Sequence, residues 1–252
     1  MVLLRCLSFN IWKNEGDYPR RMAVIAALLR EHQPDVVALQ ECFVAPALGI
    51  NSARALAEVG YHPTCFPARA KLRQHGGVWQ ASRSDMAILT RDKPVACSML
   101  ELPPDQRDGE RGLLCIDLPI KSGRIRVGCT HLTHLQDAAA QAVRREQADA
   151  VMGALLDGRA AAILMGDLNA SSDDPALAPI FDHPLLCRTA RELSRRPAGL
   201  APGNGAIDHV LLFAPGPLLR MTSRHVIAAP DPDDPAGGPS DHPAILAEIE
   251  VA

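Results

Sequence analysis

The chain of 252 residues is 47% hydrophobic and 22% charged, enough apolar material for a sizeable core and too little charge for an extended disordered protein. Its formal net charge of -3 gives no global positive field to draw it onto nucleic acid, and no stretch approaches the roughly 18 apolar residues of a membrane span. Seven cysteines, an odd number without C-x-x-C spacing, argue against a disulfide framework or a thiolate zinc site, and 4% aromatics leave little surface for stacking single-stranded bases. The apolar opening is too short for a signal peptide, so a cytoplasmic protein with one domain over residues 1–252 is expected.

In chain order, residues 2–9 read as a strand, residues 19–32 as a helix behind Pro19, and residues 35–40 as a short buried strand after Pro34. Helical spacing returns over 52–59, whereas 71–84 is polar, glycine-containing and without periodicity, which predicts a loop. Strands are expected at 86–90, 95–101, 113–118 and 124–130, the last two joined by a tight turn at Lys121-Ser122-Gly123. An alanine-rich helix over 137–156 precedes the apolar strand 161–165. Strands at 207–212, 219–226 and 244–249, linked by proline-rich segments such as 230–239, complete the chain. Mixing hairpins with helical crossovers predicts two mixed, mainly antiparallel sheets with helices outside, not a doubly wound parallel sheet.

Polar residues recur at the ends of these apolar runs. Asn10 closes the first, Glu41 follows the third, His131 follows Ile-Arg-Val-Gly-Cys-Thr, Asp167 and Asn169 follow Ala-Ala-Ile-Leu-Met-Gly, Asp208 lies in Ala-Ile-Asp-His-Val, and Asp241-His242 in Pro-Ser-Asp-His-Pro. One such residue alone reads as a cap or turn. Four carboxylates meeting at one rim repel one another unless a cation or shared proton relieves them, so their convergence predicts a metal, and oxygen ligands select Mg²⁺, with Mn²⁺ as substitute, over zinc. The alternative for Glu41 is a salt bridge to an arginine. His131 and His134 form an H-x-x-H string without the helix of a zinc peptidase, and no G-x-S-x-G elbow, P-loop or G-x-G-x-x-G is present.

The motifs Ser-Phe-Asn-Ile-Trp (8–12), Leu-Gln-Glu (39–41), Thr-His-Leu (130–132), Gly-Asp-Leu-Asn (166–169), Ile-Asp-His-Val (207–210) and Ser-Asp-His (240–242) occur in an order that resembles the endonuclease/exonuclease/phosphatase superfamily across essentially the whole chain. The resemblance implies a four-layer α/β/β/α sandwich and metal-dependent, in-line attack of water on phosphorus. It implies Glu41 as a metal ligand, Asn10 as the residue steering the ligands and contacting phosphate, and Asp241 as a second metal-side or water-side carboxylate. Asp167 would take the water proton or align the water, Asn169 would donate its amide to a phosphoryl oxygen, and His131 and His242, the latter oriented by Asp208, would face the charge of the transition state.

His134 and His209 are expected in supporting roles, and Arg144 and Gln147 on a solvated helix face. Substrate choice would lie in residues 68–85, 103–111 and 191–205, where Arg111, Arg69 and Lys71 are candidates for holding an anion and Arg73, Arg195 and Arg196 are further cations. Trp12 and Lys13 stand where many repair nucleases carry a further acid, and no aromatic accompanies Ser84-Asp85, which disfavours abasic-site cleavage. A small or medium phosphodiester or phosphomonoester is therefore expected ahead of nucleic acid; a nuclease and a non-catalytic phosphate-binding protein are the alternatives.

Overall fold

A computed structural model describes residues 2–120, 123–159, 161–187, 206–229 and 238–252. The first apolar run forms β1 (Val2–Asn10), and the helix behind Pro19 is α1 (Tyr18–His32). Asp17 caps α1 by accepting from the Arg20 N–H at 3.1 Å, and Gln33 ends it with a left-handed φ of 44°. The chain returns as β2 (Val36–Ala45), parallel to β1, which is the β-α-β unit read from the sequence. After β3 (Ile50–Asn51), α2 (Ser52–Ala57) and β4 (His62–Phe66) come β5 (Lys71–His75), β6 (Val78–Thr90) and β7 (Ala96–Glu101). The hairpin strands β8 (Gly112–Ile120) and β9 (Gly123–His131) lead into α3 (Ala138–Leu156), whose N-cap Asp137 accepts from the Ala140 N–H at 3.0 Å. The elements that follow are β10 (Ala162–Asp167), α4 (Ala178–Phe181), β11 (Asp208–Phe213), β12 (Leu219–Ala228) and β13 (Ala244–Val251).

Among the described residues these strands make two sheets. One runs β12-β13-β1-β2-β6-β4, with β3 on β2 and β5 on β6; the other runs β11-β10-β9-β8-β7. Each contains one parallel pair, β1 with β2 across α1 and β9 with β10 across α3, and the remaining pairs are antiparallel. Cys6, Ala38 and Ile88 of the first sheet pack against Ile116, Val127, Met165 and Leu212 of the second to form the middle layer. Leu7, Phe9 and Leu39 bury the outer face of the first sheet under Ile25 and Leu29 of α1 and Leu56 of α2. On the far side Leu113, Leu164 and Phe213 meet Val151 and Leu155 of α3 and Phe181 of α4. The result is the expected α/β/β/α order. Gly128 lets α3 approach, since a Cβ there would lie 2.8 Å from Leu155 Cδ1.

The segment after β4 differs from its expected form. Residues 71–84 are not a loop: β5 pairs antiparallel with the first half of β6 around Gly76 and Gly77, which take φ of 57° and 81°. The alternation is there but inverted, with Arg73 and Ser82 buried while Leu72 and Trp79 face solvent. β4 and the short β3 were not anticipated. Lys121 and Ser122 of the expected turn, residues 191–205 with Arg195 and Arg196, and most of the proline-rich segment 230–239 lie outside the described residues. Among the described residues no helix is long and apolar enough to cross a membrane.

Candidate active site

Strand direction explains why motifs far apart in sequence meet. β1 and β2 run parallel, as do β9 and β10, so Asn10, His131 and Asp167 end their strands at one rim. β11 is antiparallel to β10 and places Asp208 opposite Asp167 in register, and β13, antiparallel to β1, delivers Asp241 and His242 just before it begins. Glu41 is not at a strand end. It lies inside β2, in a bulge where Gln40 and Glu41 interrupt the pairing with β6 between Leu39 and Cys42, and it takes a left-handed φ of 59°. The bulge brings its side chain to the rim while Cys42 and Phe43 resume the buried pattern.

Asp167 is the centre of the cluster and is almost fully buried. Its Oδ2 accepts from Asn10 Nδ2 at 3.1 Å and lies 3.4 Å from His131 Nε2 and 3.7 Å from His242 Nε2; its Oδ1 accepts from the Asn169 N–H at 2.9 Å. Burial, then the negative charge of Asp208, pushes its pKa up, against the opposing influence of His242 and the two hydrogen bonds. His242 Nδ1 lies 3.0 Å from Asp208 Oδ2. Burial opposes the charge on this ring, but the Asp208 hydrogen bond and the charges of Asp208, Asp167 and Asp241 outweigh it and raise its pKa to about 10, so the imidazolium is favoured. His131 is the reverse case. Burial, then the charge of Arg111, holds its pKa well below the ordinary value, so its ring is neutral.

Asn10 and Asn169 are both committed within the site. Asn10 Oδ1 accepts from the Trp12 N–H at 3.1 Å, which aims its amide at Asp167, and Asn169 Nδ2 donates to Leu132 O at 2.9 Å. The second N–H of the Asn169 amide remains for a ligand. Glu41 Oε2 lies 2.9 Å from Lys13 Nζ, so its partner is a lysine, not the arginine weighed as an alternative. Burial raises the pKa of Asp241, and the charge of Glu41 acts in the same direction.

Among the described residues the ligand atoms of Asp167, Asp208 and His242 lie within 4.8 Å of one another, a group able to hold a metal ion. Asp208 Oδ1 is buried and has no hydrogen-bond partner, so the pocket has acceptor capacity that the protein does not use. Together with Glu41 and Asp241 these are hard oxygen donors and one imidazole, a set that fits Mg²⁺ or Mn²⁺.

A second cluster, which the sequence reading did not identify, adjoins His131. Asp108 accepts from Arg111 Nε at 3.0 Å and Nη2 at 2.8 Å, meets Arg69 Nη1 at 3.0 Å and lies 2.6 Å from His134 Nδ1. Arg69, Arg111 and His131 line one small cavity with Ser84 and Glu110. The signal was the alternation of acids and arginines in Asp105 to Arg111, which reads as a solvated loop unless its burial is known. Lys71 is exposed at the start of β5, and partial burial of its ammonium, then the charges of Arg73, Arg69 and Lys13, lowers its pKa.

Arg144 and Gln147 are not on a solvated face. Both are fully buried: Arg144 donates to Thr133 O and Leu135 O, and Gln147 accepts from the Thr133 N–H and donates to Pro103 O. Carbonyls in the loop after β9 need donors, and these long side chains supply them from the helix below. His209 is structural as expected, its ring 3.2 Å from Ala170 O and edge-on to Phe181, with burial lowering its pKa to about 4.

Residues 7–242 match the model of the Endonuclease/Exonuclease/phosphatase family, and the chain belongs to that family. The fold recurs in solved structures. An endonuclease/exonuclease/phosphatase from Beutenbergia cavernae is 22% identical with a TM-score of 0.77, over 100% of this chain and 72% of its own. TDP2 from D. rerio, complexed with a single-strand DNA product, is 17% identical with a TM-score of 0.73, over 100% of both chains. The Bacteroides thetaiotaomicron mannosyl-6-phosphatase Bt3783 is 18% identical with a TM-score of 0.70, over 98% of this chain and 99% of its own. No curated protein matches the sequence.

Proposed function

We propose that this chain is a divalent-metal-dependent phosphoesterase that hydrolyses its substrate by attack of water. The observation that carries the reading is the convergence of Asn10, His131, Asp208 and His242, drawn from both sheets, on the buried carboxylate of Asp167. A carboxylate whose pKa is raised by burial and by Asp208 suits a proton acceptor for water near neutral pH. His242, kept cationic by Asp208, and the neutral ring of His131 offer N–H groups to charge that grows on phosphoryl oxygens, and Asn169 has one amide hydrogen free to join them. Arg69 and Arg111 share Asp108 and line a cavity with His131, two guanidinium groups able to meet an anionic substrate against the opposing charge of Glu110, with Lys71 further out.

Mg²⁺, or Mn²⁺ in its place, would be held by Glu41 and Asp241 with Asn10 alongside, and would supply Lewis-acid stabilisation of the phosphoryl group. The mutual distances in the Asp167, Asp208 and His242 group favour a second reading in which the ion sits there and displaces the proton from His242 Nε2.

Hydrolysis of bis-p-nitrophenyl phosphate with Mg²⁺, Mn²⁺ or chelator tests the activity, and Asp167→Ala is expected to lower kcat about 10²- to 10⁴-fold. Equal inertness of wild type, Asp167→Ala and Glu41→Ala, all folded, overturns it in favour of a phosphate-binding protein. Mn²⁺ affinity separates the two metal readings. Loss in Glu41→Ala and Asp241→Ala with retention in Asp208→Asn places the ion on the Glu41 side, and the opposite pattern places it on the Asp208 side.

For substrate, the net charge of -3 and the lysine at Glu41 support a small phosphodiester or phosphomonoester ahead of duplex nucleic acid. A nuclease is the alternative, since TDP2 shares the fold and binds single-strand DNA. Steeply salt-dependent duplex binding by the purified chain would reverse the order.

A further inference from the structure

Arg21, in the first turns of α1, is among the largest fully buried side chains of the protein. Its guanidinium has five N–H donors, and all five go to backbone carbonyls: Nε to Glu15 O at 2.9 Å, Nη1 to Ile11 O at 2.8 Å and Pro239 O at 3.1 Å, and Nη2 to Trp12 O at 3.1 Å and Lys13 O at 3.0 Å. Among the described residues no carboxylate is hydrogen-bonded to it. A buried charge costs free energy, and here it is met by five carbonyl dipoles, the ring of Trp12 and the charges of Asp241, Glu15 and Asp17 without a hydrogen bond to any of them, an expensive way to fill a core if filling were its only role.

The carbonyls belong to two segments far apart in sequence, and both lead directly into the site. Ile11 to Glu15 follows Asn10, and two of its residues, Trp12 and Lys13, hold left-handed φ of 54° and 44° that non-glycine residues avoid. That turn is what presents the Trp12 N–H to Asn10 Oδ1 and the Lys13 ammonium to Glu41. Pro239 precedes Ser240, whose hydroxyl donates to Asn10 O at 2.6 Å and accepts from the His242 N–H at 3.2 Å. One side chain therefore ties the loop behind Asn10 to the segment carrying Asp241 and His242.

We propose that Arg21 is a positioning residue, which touches neither substrate nor metal and sets the relative placement of Asn10, Lys13 and His242 by clamping the two loops together. The proposal rests on the phosphoesterase reading for its kinetic consequence but not for its structural one. A lysine at this place keeps the charge and can serve at most three of the five carbonyls.

The test compares wild type with Arg21→Lys by backbone amide exchange, by kcat and KM on bis-p-nitrophenyl phosphate, and by emission of Trp12, over which the guanidinium lies at 5.1 Å, in a Trp79→Phe background. Arg21→Lys is expected to melt cooperatively, to exchange the Trp12 and His242 amides faster, to shift the Trp12 emission, and to lose about 10- to 100-fold in kcat with KM little changed. Unchanged exchange at those two amides, or a lowered melting temperature with kcat within twofold of wild type, would make Arg21 a core residue only and overturn the proposal. If the wild type itself has no activity, the exchange arm still decides it, since emission of Trp12 also responds to loss of the guanidinium above its ring. If Arg21→Lys does not fold, Arg21→Gln takes its place, and failure of both to fold overturns the proposal as well.

Discussion

Gly166 illustrates how much of the site depends on a single backbone position. It sits opposite Thr130 in the parallel β9–β10 pair, one residue before Asp167, with φ of 149°, and a Cβ there would fall directly onto the Thr130 carbonyl oxygen. Glycine is required by conformation and by space together. Gly166→Ala is expected to destabilise by more than ~2 kcal/mol and to move Asp167 off His131, which denaturant unfolding and the kcat of the folded fraction would show. At this scale the sequence was most readable where chemistry and strand ends coincide: Asn10, His131, Asp167, Asp208 and His242 meet as the motif order implied. It was least readable where a partner is chosen by three-dimensional proximity. Lys13 beside Glu41 and Asp108 beneath Arg69, Arg111 and His134 follow from loop paths that no periodicity encodes.

Among the elements, the two β-α-β crossovers were legible because an apolar strand, a capped helix and a second apolar strand each leave their own period. The β5–β6 hairpin was not, because its sheltered face carries Arg73 and Ser82, with Arg73 donating to Ser82 Oγ at 3.0 Å and Ser84 Oγ at 2.7 Å, so that hydrogen bonding replaces the hydrophobic alternation a strand reading depends on. Arg144 and Gln147 misled for the same reason, being polar residues on the buried face of a helix. α3 is tied to its sheet chiefly by apolar contact, with Leu155 seated over Gly128. Leu155→Ala should cost about 2–5 kcal/mol by leaving a cavity there, read as a shift of the urea midpoint at unchanged slope.

The molecule as a whole places its candidate site on the seam between two sheets, so the residues of that site and the packing of the fold share supports. Asp108 joins residues 69, 111 and 134, from three separate segments, and its titration should report on their union. Burial opposes its ionisation, yet hydrogen bonds and charge from Arg111, with Thr133 and Arg69, hold its carboxyl well below the ordinary range. A carboxylate with a depressed folded-state pKa contributes stability that is complete above its unfolded value, about 3.9, and disappears as pH falls through the folded one. Melting temperature should therefore decline below about pH 4, and Asp108→Asn should flatten that decline while lowering stability at neutral pH. Saturating Mg²⁺ should raise the melting temperature in wild type, and a chelator should abolish the rise.

The bulge in β2 has a consequence for insertions and deletions. Leu39 and Cys42 stand three residues apart yet pair with Ala87 and Asp85, which are two apart, so the bulge at Gln40 and Glu41 absorbs one extra residue and keeps Cys42 on the face of Leu39. Removing Gln40 would close the bulge and leave Cys42 to Ala45 in their layers, while Glu41 would take the inward place of Gln40, whose amide meets Cys129 between the sheets, and would leave Lys13. The extra residue thus serves the outward placement of Glu41 more than the pairing of β2 with β6, and a shortened variant should lose that carboxylate from the rim before it loses the first sheet.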